Sequence, residues 1–406
     1  MEIHAKKSNV WSTDPTMRKT LKEQAHIHGA PIPCVKEDRM LGAYVSFTKR
    51  RGATRITVKL QTCLDICTRI EASLLPFAVR ALLVSSIVVP KAIYGSAATP
   101  FQKKAMRKLR AACTKAIWGQ QNRWRCHEIV HTLLSKGHCT DPVQAYHYNT
   151  LGVCRRVLRR HPEVWPMYNA VFNHREEHPQ SWCGGPVKSM FAAARACNAT
   201  WETAGSMQIP CEEGIKPASF GDSEGERFRH VLREGLRLDQ WCAVEMRRKS
   251  YNGISAGVNR KATLVLQHRL PGLEKFRWRS ILAGSIPTCE RLHKAGKIDS
   301  PVCQCCGLAI ETLQHMFLEC PAHVEQRHQT LDATAWGVLP DCLRLHGIMP
   351  LTMEELPAGY PPTPDDLAEL TASVQYSLLD ILKHRDSFCN WEPPQPRWAA
   401  AATGVV

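Results

Sequence analysis

Cys303-Gln304-Cys305-Cys306-Gly307 is followed by Glu311-Thr312, His315, Cys320 and Pro321. The spacing is C-x2-C, a histidine nine residues after the second cysteine, and another cysteine five residues later. Thiolate and imidazole are the donors a tetrahedral structural zinc prefers, and four of them close the site. A closed site has no open position for water, so it organises the chain and performs no hydrolysis. The expected ligands are Cys303, Cys306, His315 and Cys320. Two alternatives stay open: Cys305 could replace Cys303 or Cys306, and His323 could compete with His315. The bland reading is a group of ordinary buried thiols. Four ligands within 18 residues, with Gly307 at the knuckle turn, favour metal over it. Residues 312–320 read as a helix that brings His315 and Cys320 to one side. Zinc would supply folding energy that so small a module lacks.

Other chemistry-bearing sets are weaker. His127 and His131 stand at i, i+4 with no third ligand nearby, so packing or surface is the reading. Cys63 and Cys67 share that spacing and read as core. A phosphate-loop signature is absent from the sequence. Asp365-Asp366 follows a Pro-rich segment and opens a helix, which makes it an expected N-cap rather than a catalytic pair.

The net charge is +16, and it is uneven. Residues 1–160 hold 28 Lys/Arg against 9 Asp/Glu, whereas residues 161–406 hold 25 against 28. A second basic stretch, 227–297, has 16 bases and 5 acids. Residues 298–326 have four acids and no Lys or Arg, so the zinc motif itself does not look like a phosphate binder. Between Gln102 and Arg125 lie Lys103, Lys104, Arg107, Lys108, Arg110, Lys115, Arg123 and Arg125, with no acid. A charge run is usually a solvated face. Here the self-repulsion is uncompensated and Trp118 and Trp124 are interleaved, which points to nucleic acid. Arg155, Arg156, Arg159 and Arg160 form a second run. RNA or DNA is the expected partner. No secretory signal is visible, so the 18 cysteines are expected to be free or metal-bound and the location nuclear or cytoplasmic, not secreted. The apolar run at 74–94 is broken by Arg80, Pro90 and Lys91 and reads as buried helices, not a membrane span.

The elements that must position these groups are mostly helical. Residues 41–47 alternate as a strand. Leu60, Leu64, Cys67, Ile70 and Leu74 fall at helical spacing. Pro90 interrupts the next apolar stretch, and 101–118, 126–136 and 143–160 read as further helices. Residues 174–224 are weakly periodic and read as a linker with one short helix near 187–198. Basic amphipathic helix returns at 226–249 and 273–295. A last helix spans 365–385, with Leu367, Leu370, Val374, Leu378, Ile381 and Leu382 on one face.

The order of these features resembles the C-terminal part of a non-LTR (LINE-type) retrotransposon reverse transcriptase. The likeness runs through 5–11, Met40-Leu41-Gly42, the segments 69–95 and 109–119, and the Cys303–Pro321 motif. It covers about half of the chain, leaving 160–297 and 326–406 largely unmatched. It implies a palm remnant at 1–50, a basic helical thumb-like domain at 51–160, a variable linker at 161–225, a basic helical region at 226–297, a zinc-binding module at 298–325 and a tail at 326–406. The fold class expected is mainly α, with a small α/β remnant at the N-terminus. Lys7 would match the lysine that follows the catalytic aspartates, and Leu41-Gly42 the hairpin that grips the primer. The family's aromatic-x-Asp-Asp box is missing from this sequence, so a truncated, catalytically incompetent binding fragment is expected. Its template would be RNA, or a template–primer duplex. Mg2+ would serve only an intact parent enzyme, completed by a palm and fingers segment. The alternative is a stand-alone zinc-dependent protein-interaction or nucleic-acid-binding protein derived from a mobile element.

Overall fold

Long amphipathic stretches, each closed by a recognisable cap, account for the architecture. The computed structural model describes residues 8–40, 43–46, 54–95, 97, 103–119, 124–178, 185–329, 331, 333–353 and 363–389. It is mainly helical, with small antiparallel sheets. Lys7, Leu41, Gly42 and Arg123 lie outside the described residues.

Helix α1 (Pro15–Gln24) is capped by Asp14, whose carboxylate accepts from the Thr16 amide at 2.9 Å. Two hairpins follow: β1 (His26–Ile27) with β2 (Ala30–Pro31), and β3 (Glu37–Met40) with β4 (Ala43–Ser46). Helix α2 (Thr54–Ala72) buries Leu60, Cys63, Cys67 and Ile70 on one stripe. Leu74, expected on that stripe, lies beyond the helix and is half exposed. Helix α3 (Phe77–Leu83) runs through a π turn (Val84–Val88) into α4 (Val89–Ile93). Pro90 therefore does not break the helix. The widened turn carries the Val89 amide to the Val84 carbonyl, and Pro90 sits at the start of α4, where a missing N–H is tolerated.

Helix α5 (Lys103–Trp118) buries Met106, Leu109, Cys113, Ala116 and Ile117 against α2, with the Cys67 and Cys113 sulfurs 3.9 Å apart. Helices α6 (His127–Thr132) and α7 (Gly137–Thr140) lead to α8 (Pro142–Arg160), capped by Asp141.

The segment read as a linker folds instead. Helices α9 (Trp165–Glu177) and α10 (Gly185–Arg195) precede a three-stranded sheet of β5 (Thr200–Thr203), β6 (Ser206–Cys211) and β7 (Gly214–Ser219), with β6 central. Met207, Ile209 and Cys211 alternate into the core. Pro210 hid this strand from the pattern. It lies past the Thr200–Gln208 pair where β5 ends, so its missing donor costs no ladder bond there. Helix α11 (Gly225–Arg247) packs on β6 through Gly235, where a Cβ would meet Ile209 Cγ2 at 2.4 Å.

Helices α12 (Arg260–Arg269), α13 (Gly272–Leu282) and α14 (Cys289–Lys294) follow. The single helix expected over 273–295 is two, because Gly284 takes a φ of 60° and Pro287 ends the connection. Short helices α15 (Val324–His328), α16 (Ala333–Val338) and α17 (Asp341–His346) lead to α18 (Pro364–Ser387). Thr363, rather than the Asp pair, caps α18. Its hydroxyl accepts from the Asp366 amide at 3.3 Å and donates to the Asp366 carboxylate.

Two apolar cores result. The first joins α2–α6 to Trp241, Val244 and residues 251–382; the second holds Leu151–Leu236. Helices α8 and α11 belong to both. Ala145 and Tyr146 face the first core, Leu151 and Leu158 the second; Phe228–Leu236 face the second, Trp241 and Val244 the first. Among the described residues, no helix is long and apolar enough to cross a membrane.

Candidate metal centre

The knuckle is built by local backbone bonds. The Gly307 amide donates to the Cys303 carbonyl at 2.8 Å, and the Cys303 amide to Ala309 at 2.8 Å. Gly307 has a φ of 69°, which closes the turn between the cysteines and the short Val302–Ile310 bridge. The Leu308 amide points at Cys306 Sγ, 3.5 Å away. On the other side, the Thr312 hydroxyl accepts from the His315 amide at 2.9 Å and starts the helical turn.

That turn is π, not α, over His315–Glu319, with the Cys320 amide on the His315 carbonyl at 2.7 Å. In an α-helix, residues five apart stand about 140° apart around the axis. The extra residue per turn brings His315 and Cys320 to the same side, which a regular helix would not do.

The donor atoms of Cys303, Cys306, His315 and Cys320 all lie within 4.8 Å of one another. Cys303 Sγ is 3.9 Å from Cys320 Sγ, and Cys306 Sγ is 3.4 Å from His315 Nε2. Tetrahedral zinc with ordinary bond lengths sets these edges at about 3.8 Å and about 3.6 Å. The residues fit the ion. Cys305 and His323 stand outside this cluster. His323 Nδ1 instead meets His384 Nδ1 at 3.0 Å. Burial pushes Cys303 up, and Cys320 up to about 12. Cys306 is also opposed by burial, but the Leu308 amide and the neighbouring thiols bring it below its ordinary value. Zinc would hold all three as thiolates.

Glu311, inside the motif, has a separate job. Its carboxylate takes Arg385 Nη2 at 2.6 Å and the Cys289 amide at 3.0 Å, with both charged side chains 1% exposed. Arg385 also donates to the Pro287 carbonyl at 2.6 Å. Burial works against the Arg385 charge, but Glu311 overcomes it and raises its pKa. Arg327 Nη2 ties the Cys320 carbonyl at 2.7 Å. Arg385, Arg327 and the function of Glu311 were not read from the sequence, because each depends on a partner far along the chain.

Residues 248–326 match a family model, zf-RVT, zinc-binding in reverse transcriptase. The chain is thus related to reverse transcriptases through a zinc-binding domain that contains the Cys/His cluster. The match begins fifty residues before the expected module start at 298, so α12, α13 and α14 belong to the matched unit. Helix α18, which the Glu311–Arg385 pair fastens to it, lies beyond. No match is found among curated proteins or among solved structures.

The basic residues divide. Lys103, Lys104, Arg107 and Lys108 are exposed on the outer face of α5. Lys115 is exposed but paired with Glu71 at 3.0 Å. Arg110, on the same helix, is not a surface group. It meets Glu128 at 3.1 Å, Asp141 at 2.8 Å and Gln240 at 2.6 Å. Arg125 is buried, and that burial lowers its pKa to about 10. Arg155 donates to the Asp222 carbonyl and covers the Phe228 ring at 5.3 Å. Arg156, Arg159 and Arg160 are exposed. His127 and His131 do not converge on a metal; both bond the Thr114 hydroxyl at 2.9 Å, and His131 also meets Thr140 at 3.1 Å. Cys63 and Cys67 are core, as the pattern implied.

Proposed function

We propose that this chain is a zinc-stabilised nucleic-acid-binding part of a non-LTR (LINE-type) reverse transcriptase. The observation that carries the reading is the Cys303, Cys306, His315 and Cys320 cluster, set at zinc-compatible distances inside the 248–326 match. Zinc is structural in this reading: four protein ligands leave no site for substrate. RNA or DNA lies along the exposed bases Lys103, Lys104, Arg107 and Lys108 of the thumb-like helices. Arg110, Arg125 and Lys115 hold the scaffold and are withdrawn from the contact set. The chain has no aromatic-x-Asp-Asp box, so it binds but does not polymerise unless palm and fingers are supplied, with their Mg2+. It works in the nucleus or the cytoplasm.

The test is threefold. Purified protein is expected to carry one zinc per chain by elemental analysis. It binds RNA or duplex with a log–log salt slope near one unit per neutralised phosphate, and fails in primer extension with Mg2+. Templated synthesis would sink the incompetence reading. Weak, salt-insensitive binding would favour a zinc-dependent protein-interaction module instead.

A further inference from the structure

Between the C-terminal half of α8 and the start of α11 lies a cavity of about 550 Å³. One face of α8 lines it with Tyr148, Gly152, Arg155, Arg156, Arg159 and Arg160, and α11 adds Gly225, Phe228 and Arg229. Five guanidinium groups surround the space, and no Asp or Glu lines it. Glu226 already holds Arg229 at 2.8 Å and Arg233 at 2.7 Å, and Asp222 offsets part of the repulsion at Arg155.

Three observations mark this as a built site rather than a charged face. First, the arginines crowd one another. Arg155 is pulled below its ordinary pKa by burial and then by Arg159, with Arg229 adding to the repulsion against Asp222. Its Nε–H is buried without an acceptor. Second, Gly152 faces open space: nothing lies within 4 Å of where its Cβ would stand. A glycine in the middle of a 19-residue helix costs about 1 kcal/mol relative to alanine, and here it keeps the floor of the cavity clear. Third, α11 begins at the rim with no side chain capping its amides, so the donors of its first turn stay open to an anion, while Glu226 in that turn is taken up by Arg229 and Arg233.

We infer that this cavity binds the phosphates of a nucleotide, presented by a nucleoside triphosphate or by a single-stranded polynucleotide. The charge decides the class. Four guanidiniums with no ion-pair carboxylate, those of Arg155, Arg156, Arg159 and Arg160, need a multiply charged anion, which one carboxylate does not supply, and the planar arginine fork matches phosphate oxygens in pairs. The volume accommodates more than a lone phosphate and lies within the range of small-molecule sites. The inference deepens the nucleic-acid reading and rests on it only for the polynucleotide source.

The experiment uses the full chain with zinc and two probes: a labelled 12-nucleotide single-stranded RNA and a fluorescent nucleoside triphosphate. Three variants are compared. Arg156→Glu/Arg160→Glu reverses two exposed charges; Gly152→Leu fills the floor and leaves every charge in place; Lys104→Glu/Lys108→Glu alters the α5 face alone. The first is expected to weaken at least one probe about tenfold or more and to lower the salt slope by about two units. Gly152→Leu is expected to weaken the same probe about tenfold while melting holds or rises, because leucine is the better helix former. Loss of the triphosphate alone assigns a free nucleotide; loss of the RNA assigns a polynucleotide. If Gly152→Leu binds both probes normally while Arg156→Glu/Arg160→Glu does not, the cavity is only basic surface and the inference falls. If RNA binding is lost in the α5 variant alone, and the triphosphate is never bound, the general reading stands and the cavity fails. Binding of an acidic peptide in preference to both probes also overturns it.

Discussion

The two cores treat arginine in opposite ways. In the first, arginines are buried and paired: Arg110 between Glu128 and Asp141, Arg385 on Glu311. In the second, the core is held by a chain of rings, Phe172, Phe191, Trp201, Phe220 and Phe228, with neighbouring centroids 5.2–6.1 Å apart. The four arginines at the end of α8, Arg155, Arg156, Arg159 and Arg160, lie outside that core and crowd one side of a cavity. A buried paired charge is fixed by its partner and has nothing left to offer a ligand. An exposed cluster of like charges is unstable until something negative arrives. The same residue type therefore carries structure in the first region, and in the second it is left free for the recognition proposed above.

The contrast breaks most visibly at the metal. Structural zinc binds small peptides with about 10–16 kcal/mol, and here its ligands sit beside the α18 clamp. Chelation, or Cys306→Ser, is expected to remove hydrogen-exchange protection from 289–328 and 364–387 while β6 stays protected. Equal loss in both cores would mean that α8 and α11 couple them into one cooperative unit. The ion pairs come next. Arg385→Met leaves Glu311 charged and buried, which costs about 3–5 kcal/mol, and Arg110→Met strands Asp141 in the same way. Urea unfolding measures both. The double change Glu311→Met/Arg385→Met is expected to recover much of the loss. Arg156→Met, on the cavity rim, is expected to stay within about 0.5 kcal/mol.

Much of the first core was legible in sequence and much of the second was not. The α5 and α18 stripes and the Cys/His spacing are local patterns, so Leu109, Leu378 and Cys303 could be placed before any coordinates. The ligand set itself needed the fold to separate Cys306 from Cys305. The π turn that aligns His315 with Cys320 also has no sequence signature. Arg110 sits in an unbroken basic run, and only Glu128 and Asp141, folded onto it from the following helices, reveal it as structural. The sheet in 200–219 was hidden by two prolines and a short strand length. Thr363 was passed over for the Asp pair beside it, though a threonine before proline is the better cap.

A smaller effect separates the cores by pH. His131 is fully buried in the first, against Thr114 and Thr140, with Asp141, Glu128, Arg110 and His127 around it. Burial lowers its pKa to about 4 from an ordinary 6.5. Between those values the unfolded chain takes up a proton that the folded one refuses. Stability is thus complete above about pH 6.5 and falls as pH drops toward 4, by about 1.4 kcal/mol per pH unit. His131→Gln is expected to lower the slope of urea midpoints measured at pH 4.5–6 by one histidine's share and to leave the rest. The slope that remains belongs to His138, His147 and His323, which burial lowers to about 4, and to His346, which it lowers to about 3; an unchanged slope would take His131 out of the set.

The smallest effect tests how α18 transmits force. Thr363 caps its first turn, while Arg385 holds Glu311 beside the zinc ligands at the other end. Thr363→Ala is expected to cost about 1 kcal/mol. Cap loss frays a first turn and little more, and Leu370, Val374 and Leu378 hold the middle of the helix in the core. Zinc affinity by chelator competition should therefore be unchanged even as the melting temperature falls. A weaker zinc site in this variant would mean that α18 moves as a rigid lever from its cap to its clamp. The metal centre would then sense the far end of the helix.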